Sequence, residues 1–145
     1  MSRATPNTLH SYPHHLTIPT RWADNDVYGH VNNSVYYFYF DTVVNKWLID
    51  NGLLEIGKSD NIGLVVGTSC DYFAPISFPD NVVAGLRAAR VGSSSVTYEI
   101  GLFRNDETTA SAQGSFVHVY VDEKNRRPTL ISAMMKEKLG EIIPC

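Results

Sequence analysis

From Ser34 to about Asn51 the chain runs without glycine or proline, and Tyr36, Phe40, Val43, Val44, Trp47 and Leu48 recur at helical spacing. The first half of this segment, Val35-Tyr36-Tyr37-Phe38-Tyr39-Phe40, is apolar nearly all round, whereas Asp41, Thr42, Asn45, Lys46 and Asp50 give the second half a polar side. A helix with no polar face to offer water has to be enclosed by other parts of the chain. That requirement constrains the fold more than any other feature of the sequence.

The remaining segments read as strands. After Gly52 and a polar loop through Asn61, Ile62 to Ala74 is an extended apolar segment closed by Pro75. Val82 to Val91 follows, bounded by Pro79-Asp80-Asn81 and Gly92. Val96, Tyr98, Ile100 and Leu102 then alternate with Thr97, Glu99 and Gly101, the pattern of a half-buried strand ending at the turn Asn105-Asp106. A last strand is expected from about Thr108 to Val121. Leu16 to Trp22 makes one more, and Pro19 assigns it to a sheet edge because proline cannot donate to a ladder. Short polar connections make consecutive strands antiparallel neighbours. The expected architecture is α+β: a strand, a loop, one buried helix, then four antiparallel strands curling round it. A short amphipathic helix from Ser132 to Leu139 is expected after the irregular Arg126-Arg127-Pro128 approach.

At 145 residues and 43% hydrophobic, the chain is the size of one domain, 1–145, able to bury a core without disulfides or metal. Residues 1–13 are expected to form a flexible N-terminus. The net charge of -3 leaves no basic excess to attract nucleic acid or an anionic membrane. The two cysteines, Cys70 and the terminal Cys145, do not suggest a disulfide framework and point to a reducing compartment. No apolar run reaches the roughly 20 residues of a membrane helix, and no signal peptide opens the chain, so a cytoplasmic location is expected.

Between the first strand and the buried helix lies the densest polar cluster: Asp24, Asn25, Asp26, Tyr28, Gly29, His30, Asn32 and Asn33. It leads into the helix N-terminus, where unpaired N–H groups and the positive end of the helix dipole can stabilise a developing oxyanion. Gly29 lets the loop turn sharply. A carboxylate at such a place can attack a polarised carbonyl or take a proton from water. It can equally satisfy loop amides, just as Asn32 or Asn33 can cap the helix. Spacing alone leaves Asp24 and Asp26 open between these roles.

The stretch from Thr20 through Phe40, containing Asp24-Asn25-Asp26-Val27-Tyr28-Gly29-His30-Val31-Asn32-Asn33, resembles the signature of the 4-hydroxybenzoyl-CoA thioesterase-like hotdog family. Cys70-Asp71-Tyr72-Phe73-Ala74-Pro75, Gly92 to Glu99 and Phe116-Val117-His118-Val119 resemble family strands more weakly. The resemblance implies a hotdog fold, a curved antiparallel sheet of about five strands around one long helix. It also implies protomers that join their sheets into a homodimer or homotetramer, with active sites at the interface. It places the catalytic carboxylate on Asp26 and assigns carbonyl polarisation to helix N-terminal amides near Asn33 and Ser34. The implied activity is hydrolysis of a small-molecule acyl-CoA to a free acid and CoA. A thiol with a pKa of about 8.5 leaves without strong acid assistance, so a carboxylate and an oxyanion site suffice. The candidate catalytic set is Asp26, His30 and Asn33, with Tyr28, Gly29, Asn32 and Ser34 as substrate-binding residues.

No cofactor and no metal site is expected, since His10, His14, His15 and His118 form no recognised ligand motif. Cys70 sits in a strand as a small hydrophobe, and Thr68-Ser69-Cys70 lacks a nucleophile elbow. Two alternatives stand beside hydrolysis. One is a hotdog domain that binds an acyl thioester or a protein without turnover. The other is an enoyl-CoA hydratase, disfavoured because the Asp26 to His30 spacing is short and the hydratase proline is missing.

Overall fold

The computed structural model describes residues 4–55, 57 and 61–144. Five strands, β1 (His14–Pro19), β2 (Asn61–Tyr72), β3 (Asn81–Val91), β4 (Ser95–Arg104) and β5 (Ala112–Asp122), form one antiparallel sheet in the order β1-β3-β4-β5-β2. The long helix α1 (Asn33–Asp50) lies in its concave face, and α2 (Ala133–Gly140) closes the chain. This is the hotdog architecture expected from the sequence.

The alternation read in the strands becomes an inside and an outside. Val82, Ala84, Leu86 and Ala88 of β3, Val96, Tyr98, Ile100 and Leu102 of β4, and Phe116 and Tyr120 of β5 share one core with Tyr36, Tyr39, Phe40, Val43, Val44, Trp47 and Leu48 of α1. Two-residue periodicity on the sheet thus meets 3.6-residue periodicity on the helix. The enclosure is incomplete on one side: Phe38 is 66% exposed, because the sheet stops at the edge strand β2.

Several expected boundaries move, each for a local reason. The first strand was expected from Leu16 to Trp22 but ends at Pro19, where the Thr20 N–H and hydroxyl both donate to the Asp80 carbonyl and a 3-10 turn covers Trp22–Asp24. Pro19 does lie on an edge strand, as proline requires. β2 stops at Tyr72 rather than Ala74 because the Phe73 and Ala74 amides both turn to the Ser111 carbonyl. β2 and β3 are consecutive without being neighbours: the segment 73–80 crosses past the start of α1, burying Ile76 and receiving the Val31 amide on the Ile76 carbonyl.

Within residues 1–13, expected to form a flexible N-terminus, the segment from Asn7 onward makes contacts with the rest of the chain. Thr8 bridges Thr109, the Leu9 amide donates to the Thr108 carbonyl, and the Ala110 amide donates to the Asn7 carbonyl. Residues 108–110 are therefore engaged with this segment, and the last strand begins at Ala112 rather than Thr108. Tyr12 anchors the segment. Its ring is 2% exposed and sits in a slot above Gly85 and Gly101, where an added Cβ would come within 2.8 and 2.6 Å of the ring. Phe103 meets the ring edge-on and the Arg87 guanidinium lies 4.9 Å from its centroid. Among the described residues no helix is long and apolar enough to cross a membrane.

Candidate active site

Residues 25–31 form a tight hairpin in front of α1. Asn25 bridges Val31, the Asp26 amide donates to the His30 carbonyl at 2.9 Å, and the Gly29 amide donates to the Asp26 carbonyl at 3.0 Å. Gly29 closes the turn at φ 79°, a conformation that any other L-residue adopts with strain although nothing crowds its Cβ position.

The two aspartates of the cluster have different surroundings. Asp24 is buried at 2% exposure, and all its acceptor capacity is engaged inside the protein. It accepts from the Arg21 amide at 2.9 Å, from Arg21 Nε and Nη2 at 3.1 and 2.9 Å, and from the Tyr39 hydroxyl at 2.9 Å. Burial works against its charge, but these donors together hold its carboxyl below the ordinary carboxylate range. Burial and the Asp24 carboxylate push Tyr39 well up, so it remains a donor. Asp24 is thus a structural anchor.

Asp26 is only half-buried. Its Oδ1 accepts from the Tyr28 amide at 2.9 Å, and its Oδ2 faces Asn32 Nδ2 at 3.4 Å. These contacts orient the carboxylate without enclosing it, and it borders an open cavity of about 400 Å³ shared with Trp22, Asn25, Val27 and Gly29.

Asn32 performs the capping role expected for it. Its Oδ1 accepts from the Ser34 amide at 3.0 Å and from the Ser34 hydroxyl at 2.8 Å, and its carbonyl accepts from Val35 N–H. The Ser34 amide is therefore occupied. Among the described residues the Asn33 N–H has no acceptor, which singles it out in the first turn as a donor available to a ligand.

The other candidates scatter more widely. Tyr28 takes part through its backbone, and its side chain is 83% exposed. His30 meets Asp26 only through its carbonyl, and its side chain is exposed. Burial pushes the Cys70 thiol up to about 11, which makes it a poor nucleophile at neutral pH. Among the described residues no three His, Cys, Asp or Glu side chains gather in a way that suits a metal ion.

Beside this helix terminus, on the open side of α1, Ser34, Tyr37, Phe38 and Asp41 face Val65, Thr68 and Phe116 across a mainly apolar cavity of about 400 Å³. One contact at the helix terminus was not anticipated from the sequence: the Tyr72 hydroxyl donates to the Asn33 carbonyl at 3.1 Å. The sequence places Tyr72 inside the extended segment Ile62 to Ala74, in a run that resembles a family strand, with no role at the site. Its place at the helix terminus depends on the β2–β5 register and the crossover, which no local pattern encodes.

A helix terminus with an available amide, a carboxylate held in front of it and an apolar cavity alongside suit a thioester-hydrolase site in a hotdog fold. Residues 20–139 match the thioesterase-like superfamily, and the chain belongs to it. The protein is a thioester hydrolase of that family. It superposes on the crystal structure of the PA5185 protein from Pseudomonas aeruginosa strain PAO1 with a TM-score of 0.93 at 47% identity, over 96% of this chain and 97% of that one. A thioesterase from Thermus thermophilus, crystallised with coenzyme A and Zn, aligns with a TM-score of 0.74 at 29% identity, over 89% and 93% of the two chains. The YsmA protein of Bacillus subtilis (strain 168) is 25% identical over 122 residues, 84% of this chain and 82% of its own length.

Proposed function

We propose that the protein hydrolyses acyl-CoA thioesters to a free acid and CoA, with Asp26 as the group that acts on the thioester. The carrying observation is the contrast between the two aspartates: Asp24 is buried and fully bonded, whereas Asp26 is oriented by two donors and still borders open space. The Asn33 N–H, at the positive end of α1, polarises the thioester carbonyl and stabilises the oxyanion. The acyl chain enters the cavity between α1 and β2. His30, Tyr28, Gly29 and Ser34 border the approach, with His30 exposed where it can meet the thioester or exchange protons with solvent. CoA as carrier is favoured by the Thermus thermophilus relative, which was crystallised with coenzyme A.

Asp26 serves either as a nucleophile that forms an acyl anhydride or as a base that activates water. In the first, the carboxylate displaces CoA thiolate and water then cleaves the anhydride. In the second, water adds directly while Asp26 takes its proton. We further propose that the working unit is a homo-oligomer, in which a second copy covers the exposed side of Phe38 and the β2 edge.

A panel of acyl-CoAs assayed for free thiol tests the assignment. Wild type is expected to release thiol from at least one, and Asp26→Asn to lose about 10²–10⁴-fold in kcat. No release from any thioester would leave the binding-domain reading in its place. Undiminished release by Asp26→Asn would remove Asp26 from its role.

A further inference from the structure

The peptide group joining Asn33 to Ser34 is held at both ends. Its carbonyl oxygen accepts from the Tyr72 hydroxyl at 3.1 Å, and its N–H donates to Asn32 Oδ1 at 3.0 Å. The same Asn32 side chain presents Nδ2 to Asp26 Oδ2 at 3.4 Å. A continuous path thus runs from the Tyr72 hydroxyl through one peptide and one amide side chain to the candidate carboxylate. Hydrogen bonds in series polarise one another: donation to the carbonyl makes the N–H of the same peptide a better donor, which tightens the hold on Asn32.

Tyr72 is well placed to serve as the fixed end. It is the last residue of β2, and its ring meets the buried Tyr36 edge-on with centroids 4.9 Å apart. Burial, followed by the neighbouring Cys70 and Tyr37, pushes its hydroxyl well above the ordinary tyrosine range, so it keeps its proton at any working pH. The ring contact is separable by mutation from those of the hydroxyl, which meets Cys70 and Tyr37 as well as the Asn33 carbonyl.

We infer that Tyr72 is a positioning residue of the thioesterase site, clamping the first turn of α1 so that the Asn33 N–H and, through Asn32, the Asp26 carboxylate stay aligned on the thioester carbonyl. The inference rests on the function proposed above. Alignment matters mainly at the transition state, so its loss lowers kcat and leaves KM nearly unchanged.

The test compares Tyr72→Phe, which keeps the ring, with Tyr72→Leu, which does not. Tyr72→Phe is expected to melt close to wild type yet lose about tenfold in kcat with KM within about twofold, the scale of one positioning hydrogen bond. Tyr72→Leu is expected to lose stability as well. An undiminished kcat in Tyr72→Phe, or a rise in KM with kcat unchanged, overturns the inference. Asn32→Ser keeps a capping side chain but removes the amide facing Asp26. Its kcat loss is expected not to multiply with that of Tyr72→Phe, and independent losses overturn the path. Because these arms require activity, the Ser34 amide proton is also followed by NMR. It is expected to move upfield in Tyr72→Phe whatever the substrate, and an unmoved resonance overturns the clamp while leaving the proposed function standing.

Discussion

His118 is the histidine with the most unusual surroundings. It is 3% exposed, meets the rings of Tyr98, Phe116 and Tyr120, and among the described residues has the Tyr120 hydroxyl, 3.5 Å from Nδ1, as its hydrogen-bond partner. Burial lowers its pKa from 6.5 to about 4. Between those values the unfolded chain binds more protons than the folded one, so stability rises with pH across this window. It is complete above about 6.5 and declines toward pH 4, by up to about 3 kcal/mol. The carboxylates held low by their partners, Asp24 and Asp80, lose their contribution only at still lower pH. Melting at pH 7.5 and 4.5 is expected to separate the two conditions clearly in wild type and much less in His118→Leu. Equal separation in both would assign the effect elsewhere. The sequence offers His118 as a histidine without a ligand motif in a run that resembles a family strand, and does not show its burial, which follows from strand order. Asp26 was legible sooner, since its hairpin and helix are contiguous in the chain. Even so, the family resemblance was needed to rank it above Asp24, and the bonds that occupy Asp24 come partly from Tyr39, on the far side of the first helical turn.

The elements divide along the same line. α1 was legible because its period and its lack of breakers are local properties, and the alternation of β4 likewise. What could not be read was what lies beside what. Nothing in the local pattern marks Gly85 and Gly101 as a docking place, yet the Tyr12 ring sits over both because those positions have no side chain. Gly101→Val is expected to drive the Tyr12 ring from its slot and cost about 1–3 kcal/mol by overpacking. Denaturant unfolding measures that loss, and a variant as stable as wild type would mean the slot contributes little. The concave face and its site are expected to stay intact in the folded fraction.

On the scale of the whole molecule, the open side of α1 and the free edge of the sheet coincide. Leu64, Val65 and Val66 are 38, 46 and 62% exposed on β2, and Phe38 is 66% exposed across from them. An edge strand presents unpaired N–H and C=O groups, and natural proteins seldom leave one both apolar and uncovered. The proposed homo-oligomer would cover it, with each copy completing the cavity of the other. Sedimentation is expected to show a dimer or tetramer for wild type and a shift toward monomer for Val65→Lys. A monomeric wild type would contradict this assembly.

The crossover at 73–80 has a further consequence, for the order in which the protein forms. β3, β4 and β5 pair in chain order, whereas Asn61 of β2 waits for Asp122 and His14 of β1 waits for Leu86. Closing long loops costs entropy before any pairing repays it, so the central meander is expected to nucleate and the edge strands to join late. Ile100→Val in β4 should then slow folding, while Thr68→Ala in β2 should mainly speed unfolding, and stopped-flow rates showing the reverse would refute this order. Since β2 carries Tyr72 and one wall of the cavity, a chain whose meander is already built would still have no site; competence would arrive with the final strand.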